Sequence, residues 1–206
     1  MNLYDRFVMP LLIDCCCGMK PVQEQRAELI PHATGKVLEI GIGTGRNLPY
    51  YDSAKLEALC GLDPAEQMNA TAQKRAREAG LDVELLTLSA EEIPADTASF
   101  DTVVCTFTLC TIPDPIKALG EMRRVLKPGG KMLFCEHGRS PDQSVQRWQD
   151  RLTPYWKPIA GGCHMNRDVK QMLADGGFKI NEVKSSYLRG GPKALLWVTR
   201  GQAVAA

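Results

Sequence analysis

Glu39, Gly41, Gly43 and Gly45 stand at alternate positions directly after the apolar run Lys36-Val37-Leu38, and Asp63 closes a second apolar run, Leu56–Leu62. Glycines in a turn let backbone N–H groups come closer to a ligand than any residue with a side chain would permit. A carboxylate about 20 positions beyond such a turn is placed to hold a ribose diol. Together these features predict a nucleoside site. The spacing G-x-G-x-G differs from the G-x-G-x-x-G of dinucleotide sites, and Glu39 would repel a pyrophosphate. A cationic or amino-acid-bearing ligand suits the carboxylate better.

Two further groups could carry chemistry. The chain has only three histidines. His137 ends an apolar run and is expected at the carboxyl edge of a strand, where open α/β sheets bind ligands. It is read as a proton acceptor or substrate orienter, or as a residue merely hydrogen-bonded at a strand end. His164, in Gly161-Gly162-Cys163-His164, lies in a turn able to close over the site, and His32 precedes the first strand as a surface residue. Of the eight cysteines, Cys15, Cys16 and Cys17 are consecutive and no C-x-x-C pair occurs. Reduced thiols are therefore expected, with Cys60, Cys105 and Cys135 packed in strands as small hydrophobes. Packing is also the role read for Cys110 and Cys163. A metal site made from Cys135, His137, Cys163 and His164 is not expected, because Cys-x-His spacing suits zinc poorly.

The elements that must position these groups alternate regularly. Strands are read at 36–40, 56–62, 82–88, 100–107 and 131–137, with helices at 65–79 and 113–126 between them. A helix is expected to begin at Arg46, with further helices at 143–152 and 167–175. Phe178–Tyr187 and Lys193–Thr199 read as a hairpin-like edge, with 201–206 as a loose tail. The fold class is α/β: a doubly wound, mostly parallel, Rossmann-like seven-stranded sheet with an antiparallel carboxyl-terminal hairpin. The 206 residues make one domain, 1–206, and residues 1–35 are read as an amino-terminal helical lid interrupted near Pro10. Its apolar positions include Leu3, Tyr4, Phe7, Leu11 and Leu12. The aromatic insert Trp148, Tyr155 and Trp156 is read as a substrate wall or plain packing.

Composition limits the partners. A net charge of +1 provides no basic footprint for nucleic acid. The run Phe7–Ile13 is short, broken by Pro10 and flanked by Asp5 and Asp14, unlike a signal peptide. We therefore expect a cytoplasmic protein with a small-molecule substrate, no stable membrane insertion and at most surface contact with a membrane.

The segment Glu39-x-Gly41-x-Gly43-x-Gly45 resembles motif I of the class I S-adenosylmethionine (AdoMet) methyltransferases. Ser89-Ala90-Glu91-Glu92-Ile93-Pro94, Ser99-Phe100-Asp101 and Leu126-Lys127-Pro128-Gly129-Gly130 resemble the quinone C-methyltransferase type. Val103-Val104-Cys105-Thr106, Leu109-Cys110 and Glu136-His137 are closer to the methyltransferase-like small-thiol S-methyltransferases of animals. The resemblance implies AdoMet as cofactor, with Glu39, Gly41, Gly43 and Gly45 around its methionine end. It also implies Asp63 on the ribose, Met68, Ala90 and Glu91 near the adenine, and Thr106 beside the sulfonium. Many relatives carry Asp where this chain has Ser89, so more of the adenine contact would rest on Glu91. The best reading of the acceptor is a thiol or sulfide sulfur. A quinone-like, phenolic or phospholipid head-group acceptor, or a silent AdoMet-binding scaffold, are the alternatives. The animal relatives carry an amino-terminal membrane anchor, which is not expected here.

Overall fold

The computed structural model describes Tyr4 and residues 8–206, so the readings at Leu3, Asp5 and Phe7 lie outside the described residues. Seven strands form one sheet in the order β3-β2-β1-β4-β5-β7-β6. They are β1 (Gly35–Ile40), β2 (Leu56–Leu62), β3 (Glu84–Leu86), β4 (Phe100–Thr106), β5 (Leu126–His137), β6 (Phe178–Tyr187) and β7 (Trp197–Ala205). The first five are parallel, β7 runs antiparallel to β5, and β6 is antiparallel to β7. Strand order reverses between β1 and β4, so a crevice opens at their carboxyl ends.

Among the described residues, seven α-helices, α1 (Met9–Cys17), α2 (Lys20–Leu29), α3 (Asn69–Glu78), α4 (Pro115–Val125), α5 (Gln143–Trp156), α6 (Val169–Asp175) and the single turn α7 (Lys193–Leu196), flank the sheet. Side-chain alternation divides the core. Leu38, Val103 and Phe134 pack with Leu119 and Met122 of α4 and Leu173 of α6. On the other side Val37, Val104 and Leu133 meet Leu29 of α2 and Ala76 of α3. The start of α4 is fixed by Asp114, whose carboxylate accepts the Lys117 N–H at 3.0 Å, with Pro115 in the first turn.

Several expectations are corrected. Arg46 does not open an α-helix: after the glycines the chain turns and makes only a short 3₁₀ helix, Leu48–Tyr50, around Pro49. Pro10 lies in the first turn of α1 rather than interrupting it, because its missing N–H costs nothing there. The 65–79 helix starts later, at Asn69, after a 3₁₀ turn at Glu66–Met68. Helix α5 continues to Trp156, past Pro154. The tail is not loose. Lys193–Leu196 is a helical turn, and the strand runs Trp197–Ala205, between β5 and β6, with Ala203 buried. Short polar and small residues hid a strand that is stabilised by ladder bonds on both sides. All eight cysteines are free, and Cys60, Cys105 and Cys135 are buried in the core as expected.

Candidate active site

The glycine turn follows β1, and all three glycines have positive φ, 69°, 53° and 79° at Gly41, Gly43 and Gly45. Their neighbours show different demands. A side chain at Gly41 would collide with Thr108, and one at Gly45 with Leu48. At Gly43 it would meet nothing nearer than Met68 Sδ at 3.6 Å and Asp63 Oδ2 at 3.8 Å. The space over Gly43 is therefore open on the crevice side, as close approach of a ligand requires. Asp63, at the end of β2, accepts the Gly43 N–H at 2.9 Å and the Ala65 N–H at 2.8 Å. Burial raises its pKa and these two bonds oppose the rise. Each carboxylate oxygen keeps a further lone pair for a ribose diol.

Glu39 is enclosed by protein groups at the floor of the turn. It is 1% exposed, and its oxygens accept from Asn47 Nδ2 at 2.9 Å and Tyr51 Oη at 2.8 Å. Asn47 also donates to Thr106 Oγ1 at 3.0 Å. Arg26, 4% exposed on α2, donates to Thr106 Oγ1 at 2.8 Å and to Asn47 Oδ1 at 2.5 Å. Burial pushes the Glu39 carboxyl up to about 7, against the pull of Tyr51, Arg26 and Asn47. Glu39 and Thr106 thus hold the floor beneath the glycine turn. Arg26, Asn47 and Tyr51 were missed in the sequence because an arginine in a polar helix carries no mark of burial.

Met68 and Ala90 are buried, and Met68 lies beside Gly43. Glu91 is half-buried and accepts the Asp114 N–H at 2.7 Å, fixing the loop after β3 against the start of α4.

A second group of side chains comes together from three separate segments. His137 ends β5, Cys110 follows β4, and Cys163 sits in the turn after α5. One ligand atom from each lies within 4.8 Å of the others. His137 Nε2 is 3.0 Å from Cys163 Sγ. The Cys110 thiol and His137 hold the Cys163 pKa well down against its burial, while Cys110, facing Cys163, is pushed up. Burial lowers the His137 pKa, but the contact with Cys163 outweighs it and the net shift is upward. Cys110 and Cys163 are both buried, as the packing reading expects, and they also cluster with His137. Cys135, named in the sequence grouping, lies instead in the core with Leu133 and Val198.

The surrounding bonds explain this convergence. The backbone N–H of His164 donates to Cys110 O at 2.9 Å, and its Nδ1 lies 3.1 Å from the same oxygen. His164 thus ties two loops together. Arg167 donates to the Leu109 and Ile112 carbonyls, fixing the Cys110 loop from the other side. Gln149, fully buried on α5, donates to the carbonyls of Gly138, Met165 and Ala194 at 2.9 Å. Of the aromatic insert, Trp148 and Tyr155 are 57% and 73% exposed, so neither walls the site, while Trp156 lies beside Cys163.

Helix α1 contacts both the glycine turn and the turn that carries Cys163. Asp14 accepts from Arg46 and Thr44 next to the glycine turn and from Arg75 of α3 at 2.8 Å. Tyr4 donates to Ile159 O at 2.7 Å, and Gly161 backs onto Met9 and Ile13. A separate cleft of about 770 Å³, lined by Lys36, Asp82, Glu84 and Ser99, lies at the amino ends of the strands, remote from these groups.

A parallel sheet with a glycine turn after β1, an acid after β2 and a reversed carboxyl-terminal pair defines a methyltransferase-type architecture. The chain belongs to the class I AdoMet-dependent methyltransferases, and S-adenosylmethionine is its cofactor. The sequence model described as "Methyltransferase domain" matches residues 38–134. The human thiol S-methyltransferase TMT1B is 35% identical over 82% of this chain and 69% of its own length. The phosphatidylethanolamine N-methyltransferase of Cereibacter sphaeroides is 37% identical over 72% of each. A SAM-dependent methyltransferase of Thermotoga maritima shares the fold, with a TM-score of 0.64 at 23% identity over 96% of both chains. The chain spans between 38% and 72% of the length of the curated relatives it matches. No helix among the described residues is long and apolar enough to cross a membrane.

Proposed function

We propose that this methyltransferase acts on a small molecule and delivers the methyl group to a thiol or sulfide sulfur. The observation that carries this reading is the Cys110–His137–Cys163 cluster at the carboxyl ends of β4 and β5, across the crevice from the glycine turn. Bound AdoMet supplies an electrophilic methyl group on a cationic sulfonium. The chain's residues then need to bind, align and enclose. Gly41, Gly43 and Gly45 shape the turn, and Gly43 admits the donor. Asp63 holds the ribose, while Met68, Ala90 and Glu91 border the adenine. Glu39 and Thr106 support the turn from below, and Arg26 fixes them.

On the acceptor side His137 orients the incoming sulfur and His164 sets the turn that carries Cys163. Residues 1–35, with α1 and α2, act as the lid of a single domain, excluding water and restricting the partners to near-attack positions, an effect worth up to about 7–11 kcal/mol. Reduced thiols throughout suit a cytoplasmic setting. The relative named for phosphatidylethanolamine favours one alternative, an amine head-group acceptor.

A panel of small thiols, phenols, quinols and amines, incubated with the protein and labelled AdoMet, separates these. Label on thiols alone is the expected result. Label on amines or phenols alone would reject the sulfur acceptor, and AdoMet binding without any transfer would leave a scaffold.

A further inference from the structure

We infer that Cys110, His137 and Cys163 form a three-ligand site for a borderline-soft metal ion of the zinc type, with its fourth position open to the acceptor sulfur. The last part rests on the thiol reading above; the metal site itself does not. Two thiols and an imidazole are the donor set such ions select, and two sulfurs, one nitrogen and one open position is an established pattern for a reactive zinc. Ligand atoms around such an ion stand about 3.6–3.8 Å apart, given bonds of about 2.3 Å to sulfur and about 2.0–2.1 Å to nitrogen. The three donor atoms here lie within 4.8 Å of one another, with His137 Nε2 and Cys163 Sγ at 3.0 Å. Small side-chain rotations reach the required spacing.

A second observation points the same way. Two buried polar side-chain atoms of this neighbourhood, Glu136 Oε2 and His137 Nδ1, lack a partner among the described residues, while the Trp156 indole N–H faces the Cys163 sulfur. Folded proteins satisfy nearly all such groups, so these two atoms call for a partner from outside the chain. An ion would bring bound water or acceptor, and those give such atoms partners. The loop that carries Cys110 also lays Thr108 against Gly41, so the cluster shares a wall with the donor turn. A thiol taking the open position would bind as its thiolate. Its proton would pass to the buffer, and a sulfur lone pair would form the bond to the metal.

The test uses the whole chain, reduced and stripped by a chelator, titrated with Co²⁺ alone. One equivalent should bind with the visible absorption of a tetrahedral, thiolate-ligated ion, and Zn²⁺ should bleach it. In Cys110→Ser, Cys163→Ser and His137→Ala, affinity should fall by more than the roughly 10–100-fold that loss of an outer-shell partner costs. A Cys15→Ser/Cys16→Ser double variant should bind as the parent does. X-ray absorption of the zinc-loaded protein, independent of any variant's folding, should show two sulfurs and one imidazole. Adding a simple alkyl thiol should shift the cobalt spectrum. Absence of stoichiometric binding, or full binding in a folded Cys110→Ser/Cys163→Ser variant, overturns the site. Undiminished thiol turnover by the stripped protein overturns the metal's part while leaving the thiol reading intact. Metal binding without thiol turnover does the reverse.

Discussion

The donor side and the acceptor side of the crevice are built on opposite plans. Around Glu39, the oxygens and nitrogens of Glu39, Asn47, Tyr51 and Thr106 are engaged by protein, and only Arg26 Nε lacks a partner. Around His137, two buried polar atoms, Glu136 Oε2 and His137 Nδ1, have none among the described residues. The donor half is organised in advance, as suits a ligand that every catalytic cycle uses. The half around His137 holds buried polar atoms that a ligand would complete. Fully satisfied buried networks rigidify, whereas partly satisfied ones are costly until a ligand completes them.

Breaking the donor half should therefore have the larger effect on stability. Arg26→Met leaves Glu39 buried without its cation and removes the donor to Asn47 Oδ1 and Thr106. Loss of one member of a buried charged network costs about 3–5 kcal/mol. Urea unfolding should show this loss, while His164→Ala should cost only about 0.5–1.5 kcal/mol, the value of an ordinary hydrogen bond. Equal losses would erase the contrast between the halves.

The comparison sharpens with pH. Burial raises both Glu39 and Glu136 from 4.5 to about 7. A carboxyl whose pKa is higher folded than unfolded contributes stability that is complete below its unfolded value and disappears as pH rises through its folded value. Stability should fall between about pH 4.5 and pH 7, by about 3 kcal/mol for each group. Unfolding midpoints at pH 5 and pH 8 measure it. Glu39→Gln and Glu136→Gln should each remove part of the slope. A wild-type protein equally stable at both pH values would show that neither carboxyl is buried as described.

Asp63→Ala should act on the donor alone. AdoMet affinity, read by calorimetry, should weaken by about 1–3 kcal/mol, the worth of hydrogen bonds to a charged group. The acceptor KM should change little. Unchanged AdoMet affinity would remove Asp63 from the ribose.

The same division explains what could be read from the chain. Gly41, Gly43, Gly45 and Asp63 act through backbone shape and one strand's reach, and both leave marks in local spacing. The strand alternation was legible for the same reason, because buried parallel strands are continuous apolar runs. Strand β7 was not, since its Arg200, Gly201 and Gln202 hide a position set by pairing with β5 and β6. The acceptor cluster was equally hidden: His137 and Cys163 are 26 residues apart and meet only because His164, Arg167 and Gln149 draw their loops together. No local pattern encodes such a meeting.

Helix α1 is joined to both halves, so it gives the smallest but most discriminating test. Asp14 is attached to Thr44 and Arg46 on the donor turn and to Arg75 on α3. Burial opposes the charge on Asp14, but hydrogen bonds from Arg75, Arg46 and Thr44 prevail and hold the carboxyl well below its usual range. This attachment is therefore complete above the ordinary Asp pKa and is released only when pH falls through the lowered folded value. Asp14→Asn keeps the shape and removes the charge. Its carboxylate is partly exposed, at 23%, so the expected loss is about 1 kcal/mol, toward the upper end for exposed ion pairs. The global unfolding midpoint should hardly move, because α1 contributes no buried residue to the core. Cleavage by a protease near Gly18 should accelerate, and the acceptor KM should rise with AdoMet affinity almost unchanged. If cleavage does not accelerate, the amino-terminal segment is held by its contacts with Ile159 and Gly161 instead, and its attachment belongs to the His137 side alone.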